Sequence, residues 1–375
     1  MNKFQQLNDW MGEEVAERKI SGCCAAVYQN GENVFRNFCG YANLERGVPV
    51  SENTLFRLAS MTKPITAVAA LLCMEEGLLR PDTPVCELLP EFSHMYLACT
   101  ENGGLTRGSA AENKILLRHL LTHSSGLGSG ASGDLQYDSL KPREGDILAS
   151  AVPRYAACLL EFVPGTAQAY SPVFGFDVVA RMVELASGLP YADFLRKKIF
   201  QPLGMHSATY ELGERQRADC AVTYRSEGGK LSAEPLEHNF DTFPAGYTGG
   251  GAGLLCTLAD YCRFACELLD AYYGEGRVFS ERLVREMSVA RFSTDVAGIF
   301  DFFNWGYGVR VVQAINDIQV LTPGSFGWSG AYGTHFWVDP VRRAVAVYMH
   351  NSSTYGGAGA PHTQAFERAV MQGLA

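Results

Sequence analysis

Along the chain, segments with an apolar residue at every third or fourth position alternate with segments where one falls at every second position. Phe4, Leu7, Trp10 or Met11, and Val15 fall at helical spacing and predict an amphipathic helix. Cys23-Cys24-Ala25-Ala26-Val27-Tyr28 and Val34-Phe35-Arg36-Asn37-Phe38-Cys39 flank Asn30-Gly31-Glu32-Asn33, which predicts a β-hairpin. Pro64 to Met74 is apolar almost all round, the pattern of a buried helix. Further amphipathic helices are predicted from Val178 to Ala186, closed by Gly188, from Asp260 to Tyr272, and from Ser280 to Ser288 with a serine cap. The last quarter turns to strands. Gly306 to Val312 is one; His335 to Asp339 and Ala344 to Met349 flank Pro340-Val341-Arg342-Arg343 as a second hairpin. Thr363 to Gln372 reads as a closing helix.

Strands open and close the chain, and helices fill its middle. The predicted fold class is α+β: an antiparallel sheet flanked by helices, formed by both chain ends, with an inserted mostly helical domain. On this division residues 1–58 and 285–375 make the sheet domain, and 59–284 the helical region. Glu101 to Gly145 is polar, glycine-rich in places, and reads as loops near a site.

The 375 residues suffice for a large core. Apolar residues make 47% and charged residues 19%, a globular composition. The net charge of -9 comes without a basic stripe, which argues against nucleic acid. No stretch of eighteen apolar residues suggests a membrane span, and the N-terminus lacks the apolar core of a signal peptide. The 11 cysteines include no C-x-x-C pair, and several sit in apolar runs. A reducing, cytoplasmic compartment fits that usage, and zinc held by cysteine does not.

The chemistry begins at Ser60-Met61-Thr62-Lys63, at the mouth of the Pro64 helix. Positions i and i+3 share a helix face, so the lysine amine reaches the serine hydroxyl. A serine needs a base within hydrogen-bond reach to become a nucleophile, and a lysine withdrawn from water can be that base. The plainer alternative is an N-cap serine beside a solvated lysine. Tyr170 lies in a turn leading into the Val178 helix. It could serve as acid or base, or pack as a half-buried ring. Gly324 to Thr334 is rich in small residues, which either present an N–H to an oxyanion or only allow close strand packing. Gly249 to Leu254 lacks the spacing of a phosphate loop and reads as a tight turn at a helix start. His119 and His123 stand four apart, but no third ligand accompanies them, so no metal site is expected. Glu75-Glu76 and Asp339 make no carboxylate pair.

As a set these segments resemble the serine β-lactamase and penicillin-binding superfamily, within it most the class C branch with its esterases and D-amino-acid peptidases. The strings that carry the resemblance are Phe56-Arg57-Leu58-Ala59-Ser60-Met61-Thr62-Lys63, Arg118 to Leu127, Pro164-Gly165-Thr166 with Tyr170-Ser171, Pro202-Leu203-Gly204-Met205, Gly250 to Leu254, and Trp328-Ser329-Gly330. They follow the family order over most of the chain.

The resemblance implies roles. Ser60 would be the acylated nucleophile, and Lys63 and Tyr170 would share the proton work. Trp328-Ser329-Gly330 would bind substrate at the K-T-G position, and the N–H groups of Ser60 and Ala331 would form the oxyanion hole. It also implies a small-molecule ester or amide as substrate and no cofactor; charge and hydropathy have already argued against a nucleic-acid or membrane partner. Two departures bear on the substrate. Pro172 replaces the asparagine of the tyrosine motif, and Trp328 replaces the lysine of K-T-G. Losing that cation removes charge-assisted hydrogen bonds worth about 1.5–3 kcal/mol each to a carboxylate. The family's carboxylesterases often carry tryptophan there, so a serine carboxylesterase is expected. A β-lactamase, a D-amino-acid peptidase or acyltransferase, and a non-catalytic ligand-binding homologue are the alternatives.

Overall fold

The computed structural model describes residues 3–101, 104–235, 242–293, 295–299 and 302–374. Helix α1 (Gln5–Ala16) leads into strands β1 (Gly22–Gln29) and β2 (Glu32–Asn43), followed by the short β3 (Val48–Pro49). Asn30 and Gly31 both take positive φ, as a tight hairpin turn requires. The middle of the chain carries α2 (Thr62–Glu75), α3 (Leu117–Leu121), α4 (Phe174–Ser187), α5 (Leu258–Tyr272) and α6 (Glu281–Met287). The chain then returns to the sheet through β4 (Phe303–Trp305), β5 (Arg310–Val312), β6 (Phe326–Ser329), β7 (His335–Asp339) and β8 (Ala344–His350), and ends in α7 (Pro361–Gly373).

These strands form one 8-stranded antiparallel sheet in the order β4-β5-β6-β7-β8-β1-β2-β3. Its centre is the pairing of β1 with β8, which joins the two chain ends. Side chains alternate across it with period two. Cys23, Ala25, Val27, Trp337, Ala346 and Tyr348 face α1 and α7, with Leu7, Met11, Phe366 and Val370. Cys24, Ala26, Phe336, Val338, Val345 and Val347 face the other way, towards α5 and the helical middle. Both faces are covered at β1, β7 and β8, so those strands read as nearly continuous apolar runs.

Helix α2 lies at the heart of the second layer. Its residues from Thr62 to Leu71 are all buried. Helix α4 packs against it, and Gly188 closes α4 in the left-handed conformation expected of a C-cap glycine. Thr257 and Ser280 cap α5 and α6 with their hydroxyls.

Three expectations are corrected. Gly306 to Val309 is a tight turn between β4 and β5, not the first half of a strand. Gly308 has φ +71°, its N–H bonds the Leu121 carbonyl, and an added Cβ would stand 2.6 Å from Ala67 of α2. Glu101 to Gly145 is not a run of loops: Tyr96–Glu101 pairs with Gly104–Ala110, and α3 and a helix over Gly130–Leu140 follow; residues 102–103 lie outside the described set. That hairpin is largely exposed, so no alternation betrays it. Gly249 to Leu254 bends sharply, as expected, but does not open a helix; it passes against the start of α4 and leads into the short strand Leu255–Cys256.

Candidate active site

The short strand Phe56–Arg57 pairs with Leu255–Cys256 and delivers the chain to a 3-10 turn over Ala59–Met61. Ala59 has φ +45°, a strained value for a residue with a Cβ. Ser60 thus sits on that turn, two residues before α2 begins, and Lys63 is the second residue of the helix. The expected reach holds: Lys63 Nζ lies 3.2 Å from Ser60 Oγ.

Lys63 is 0 % exposed. Its amine donates to the Pro172 carbonyl at 2.6 Å and to the Gly251 carbonyl at 2.8 Å. Two N–H bonds are therefore taken by neutral oxygens, and the third tetrahedral direction points at Ser60 Oγ. Burial pushes the lysine pKa down to about 7, and the more distant Asp177 opposes this only in part. Close to neutrality the amine is thus partly unprotonated, with its lone pair directed at the serine hydroxyl.

Gly251 owes its position to space and to a carboxylate. An added Cβ on Gly250 would stand 2.1 Å from the Phe176 carbonyl, and on Gly251 2.7 Å from that of Val173. The Gly251 N–H donates to Asp177 Oδ1 at 3.0 Å, and Tyr247 donates to Asp177 Oδ2 at 2.6 Å. Burial raises the Asp177 pKa to about 6 against the pull of those donors. The periodicity of α4 shows that Asp177 breaks an apolar face; nothing in the sequence says that it holds a glycine loop to the lysine.

Tyr170 closes the group. Lys63 Nζ lies 4.9 Å above its ring, on the side of the group that also holds Ser60. Trp328 Nε1 donates to Tyr170 Oη at 3.2 Å. Burial raises the phenol pKa, and Ser60 and Trp328 offset this only partly, so Tyr170 is a protonated phenol around neutral pH. His123 and Trp305 pack on the same ring, with centroids at 4.5 and 6.1 Å. Neither stood out in the sequence as a neighbour of Tyr170. His119 and His123 do not face a common ligand: Nδ1 of His119 accepts from the Leu116 N–H, and Nδ1 of His123 from the Ser171 N–H.

The Trp328-Ser329-Gly330 segment divides by strand parity. Trp328 turns to Tyr170, whereas the Ser329 hydroxyl bonds His335 Nδ1 at 2.8 Å. Ser329 is therefore engaged by the protein itself. Beyond β6 the chain makes a turn, not a strand edge, with Gly330 N–H bonded to the Thr334 carbonyl at 2.6 Å. An added Cβ on Gly330 would lie 2.2 Å from the Leu58 carbonyl, and Thr334 Oγ1 donates to that same oxygen at 3.0 Å. These contacts lay the turn carrying Ala331 alongside the turn carrying Ser60.

A cavity of about 330 Å³ adjoins the group, walled by Tyr170, Trp305, Trp328, Phe302 and Phe303, with the half-buried Arg310 and its buried partner Glu367 also in its lining. A smaller one of about 240 Å³ lies beyond Pro172, against Tyr137 and Phe174. Among the described residues no group of His, Cys, Asp and Glu is arranged to hold a metal ion.

A family model described as Beta-lactamase matches residues 7–369. Esterase EstB of Burkholderia gladioli is 32% identical over 97% of this chain and 94% of its own. Penicillin-binding protein 4 of Amycolatopsis lactamdurans is 28% identical over 89% of this chain and 82% of its own. Among solved structures, EstCE1, described as a hydrolase with promiscuous acyltransferase activity, superposes with a TM-score of 0.82 at 22% identity, covering 98% of each chain. That likeness shows the mixed architecture of a large antiparallel sheet with helices.

Proposed function

As the chain belongs to the β-lactamase family, we propose that it is a serine hydrolase that cleaves carboxylic esters through an acyl-Ser60 intermediate. The observation that carries this is the Lys63 amine, held by two carbonyls with its remaining direction on Ser60 Oγ. Neutral Lys63 takes the hydroxyl proton as Ser60 attacks the ester carbonyl. The N–H groups of Ser60 and Ala331 stabilise the tetrahedral oxyanion. Tyr170 gives its proton to the departing alkoxide and regains one from Lys63. Water then attacks the acyl-enzyme by the same steps in reverse.

The site's chemistry supports a neutral ester over a carboxylate-bearing lactam. Where a lysine would supply a cation, Trp328 supplies an indole N–H already bonded to Tyr170. Where an asparagine would offer an amide, Pro172 offers only a carbonyl, which Lys63 occupies. The aromatic walls suit an apolar acyl or alcohol group. We also propose a cytoplasmic setting, supported by eleven cysteines that are all free thiols. No helix among the described residues is long and apolar enough to cross a membrane.

The test is hydrolysis of p-nitrophenyl butyrate together with intact-mass spectrometry. Wild-type protein should turn the ester over and gain one acyl mass; Ser60→Ala should do neither. Turnover retained by the alanine variant would refute the assignment. Efficient hydrolysis of nitrocefin would favour a β-lactamase.

A further inference from the structure

Directly after α3, His123 adopts φ +56°, a left-handed conformation that few non-glycine residues take. Such strain persists only where the surroundings hold it in place. Here the surroundings are the two peptides that flank Tyr170. The His123 carbonyl accepts from the Ala169 N–H at 3.0 Å. Its ring nitrogen Nδ1 accepts from the Ser171 N–H at 3.1 Å. One residue therefore grips the chain on both sides of the tyrosine, once through its backbone and once through its side chain. The imidazole also lies 4.5 Å from the Tyr170 ring, 4.5 Å from Trp305 and 5.3 Å from Phe176, all between ring centroids.

We propose that His123 is the positioning residue of Tyr170, fixing its phenol against Ser60 by acting as a neutral hydrogen-bond acceptor. This rests on the reading of Ser60, Lys63 and Tyr170 as the reacting group. An imidazole that accepts at Nδ1 carries no proton there. The titratable groups facing it are Lys63 of α2 and Tyr170 itself; Phe176 of α4 and Trp305 of β4 are uncharged. Complete burial, and after it the Lys63 ammonium, push the His123 pKa well below its usual value, so the acceptor persists throughout the range in which Lys63 titrates. A glycine would relieve the backbone strain but lose the side-chain grip. A leucine would fill the volume but offer no acceptor.

The experiment compares wild-type protein with His123→Leu and His123→Asn, whose Oδ1 can take the same N–H. Each is checked by circular dichroism and then assayed for p-nitrophenyl butyrate hydrolysis across pH. Displacing a reacting group by about 1 Å costs roughly a hundredfold in rate. His123→Leu is therefore expected to lose kcat by about that factor with KM within about twofold, and to show a displaced pH-rate limb. His123→Asn should recover most of the kcat and the wild-type limb. A folded leucine variant with wild-type kcat and pH profile would overturn the proposal. So would an asparagine variant no better than leucine, or failure of both variants to fold, either of which would make His123 a packing residue. If Ser60→Ala retains turnover, the catalytic reading fails instead; that outcome is separate, because it does not involve His123.

Discussion

Lys63 illustrates how much one residue is asked to give up. It is wholly buried, with no carboxylate in contact among the described residues, and its pKa falls from 10.5 to about 7. Between those two values the unfolded chain binds a proton that the folded protein does not, so stability rises with pH across that window. Below about 7 both states hold the proton, and the folded state bears the full cost of a buried charge, on the order of 5 kcal/mol for a shift of this size. Replacing Lys63 by Met removes the charge and keeps most of the volume. Thermal denaturation should show the variant's melting temperature gaining most on wild type at and below pH 7, with the difference shrinking towards pH 10. A difference that is flat with pH would contradict the burial argument. The lysine was legible in the sequence because a cation at the mouth of an apolar helix has few places to go. Its two carbonyl partners, at Pro172 and Gly251, were not, since backbone acceptors leave no mark on residue type.

Among elements, the turn after β6 decides the most. Gly330 is the point where the Trp328 strand meets the segment before Ser60. Gly330→Ala would drive a methyl group into the Leu58 carbonyl and the Thr334 hydroxyl, both at 2.2 Å from the added Cβ. Overpacking of this kind costs about 1–3 kcal/mol or more, and relief requires the two turns to part. The variant should melt lower and lose at least roughly tenfold in kcat, since oxyanion donors act only at the right distance. Urea titration and ester hydrolysis on the same preparation check both. Hairpins and long amphipathic helices were readable here: β1–β2 and β7–β8 have sharp turn residues between apolar runs. The Gly306–Val309 turn was misread because Tyr307 and Val309 are strand formers, whereas it is contact with α2 that bends the chain at Gly308. The exposed hairpin at residues 96–110 was missed for the opposite reason, having no buried face to create a pattern.

The molecule as a whole is closed by its ends. Helix α1 packs on α7, and both cover the face of the sheet that β1 and β8 build together. Glu14 of α1 is buried in that seam, bonded to His362 of α7 and to Lys19. Burial raises its pKa, but His362 and Lys19 more than offset this and hold the carboxyl below its ordinary value. Such a group stabilises the fold above the unfolded value near 4.5, and the contribution is lost as pH falls through the folded value. Glu14→Gln should therefore cost about 3 kcal/mol at pH 7 and progressively less as the pH is taken below 4.5 and through the folded carboxyl's lowered value, measured as a shift in denaturant midpoint. An equal loss at both pH values would mean the seam is held by packing alone.

From the sequence came the elements with a period of their own, the sheet shared by both termini, and the serine, lysine and tyrosine as candidates, because those features rest on neighbours a few residues apart. Tertiary structure decided what those residues touch. It turned Ser329 away to His335, hung the lysine from two distant carbonyls, and set His123 on both flanks of Tyr170. Contacts of that sort join positions as much as 188 residues apart in the chain, and their partners are often main-chain atoms common to every residue. A linear pattern carries no signal for them until the core has packed.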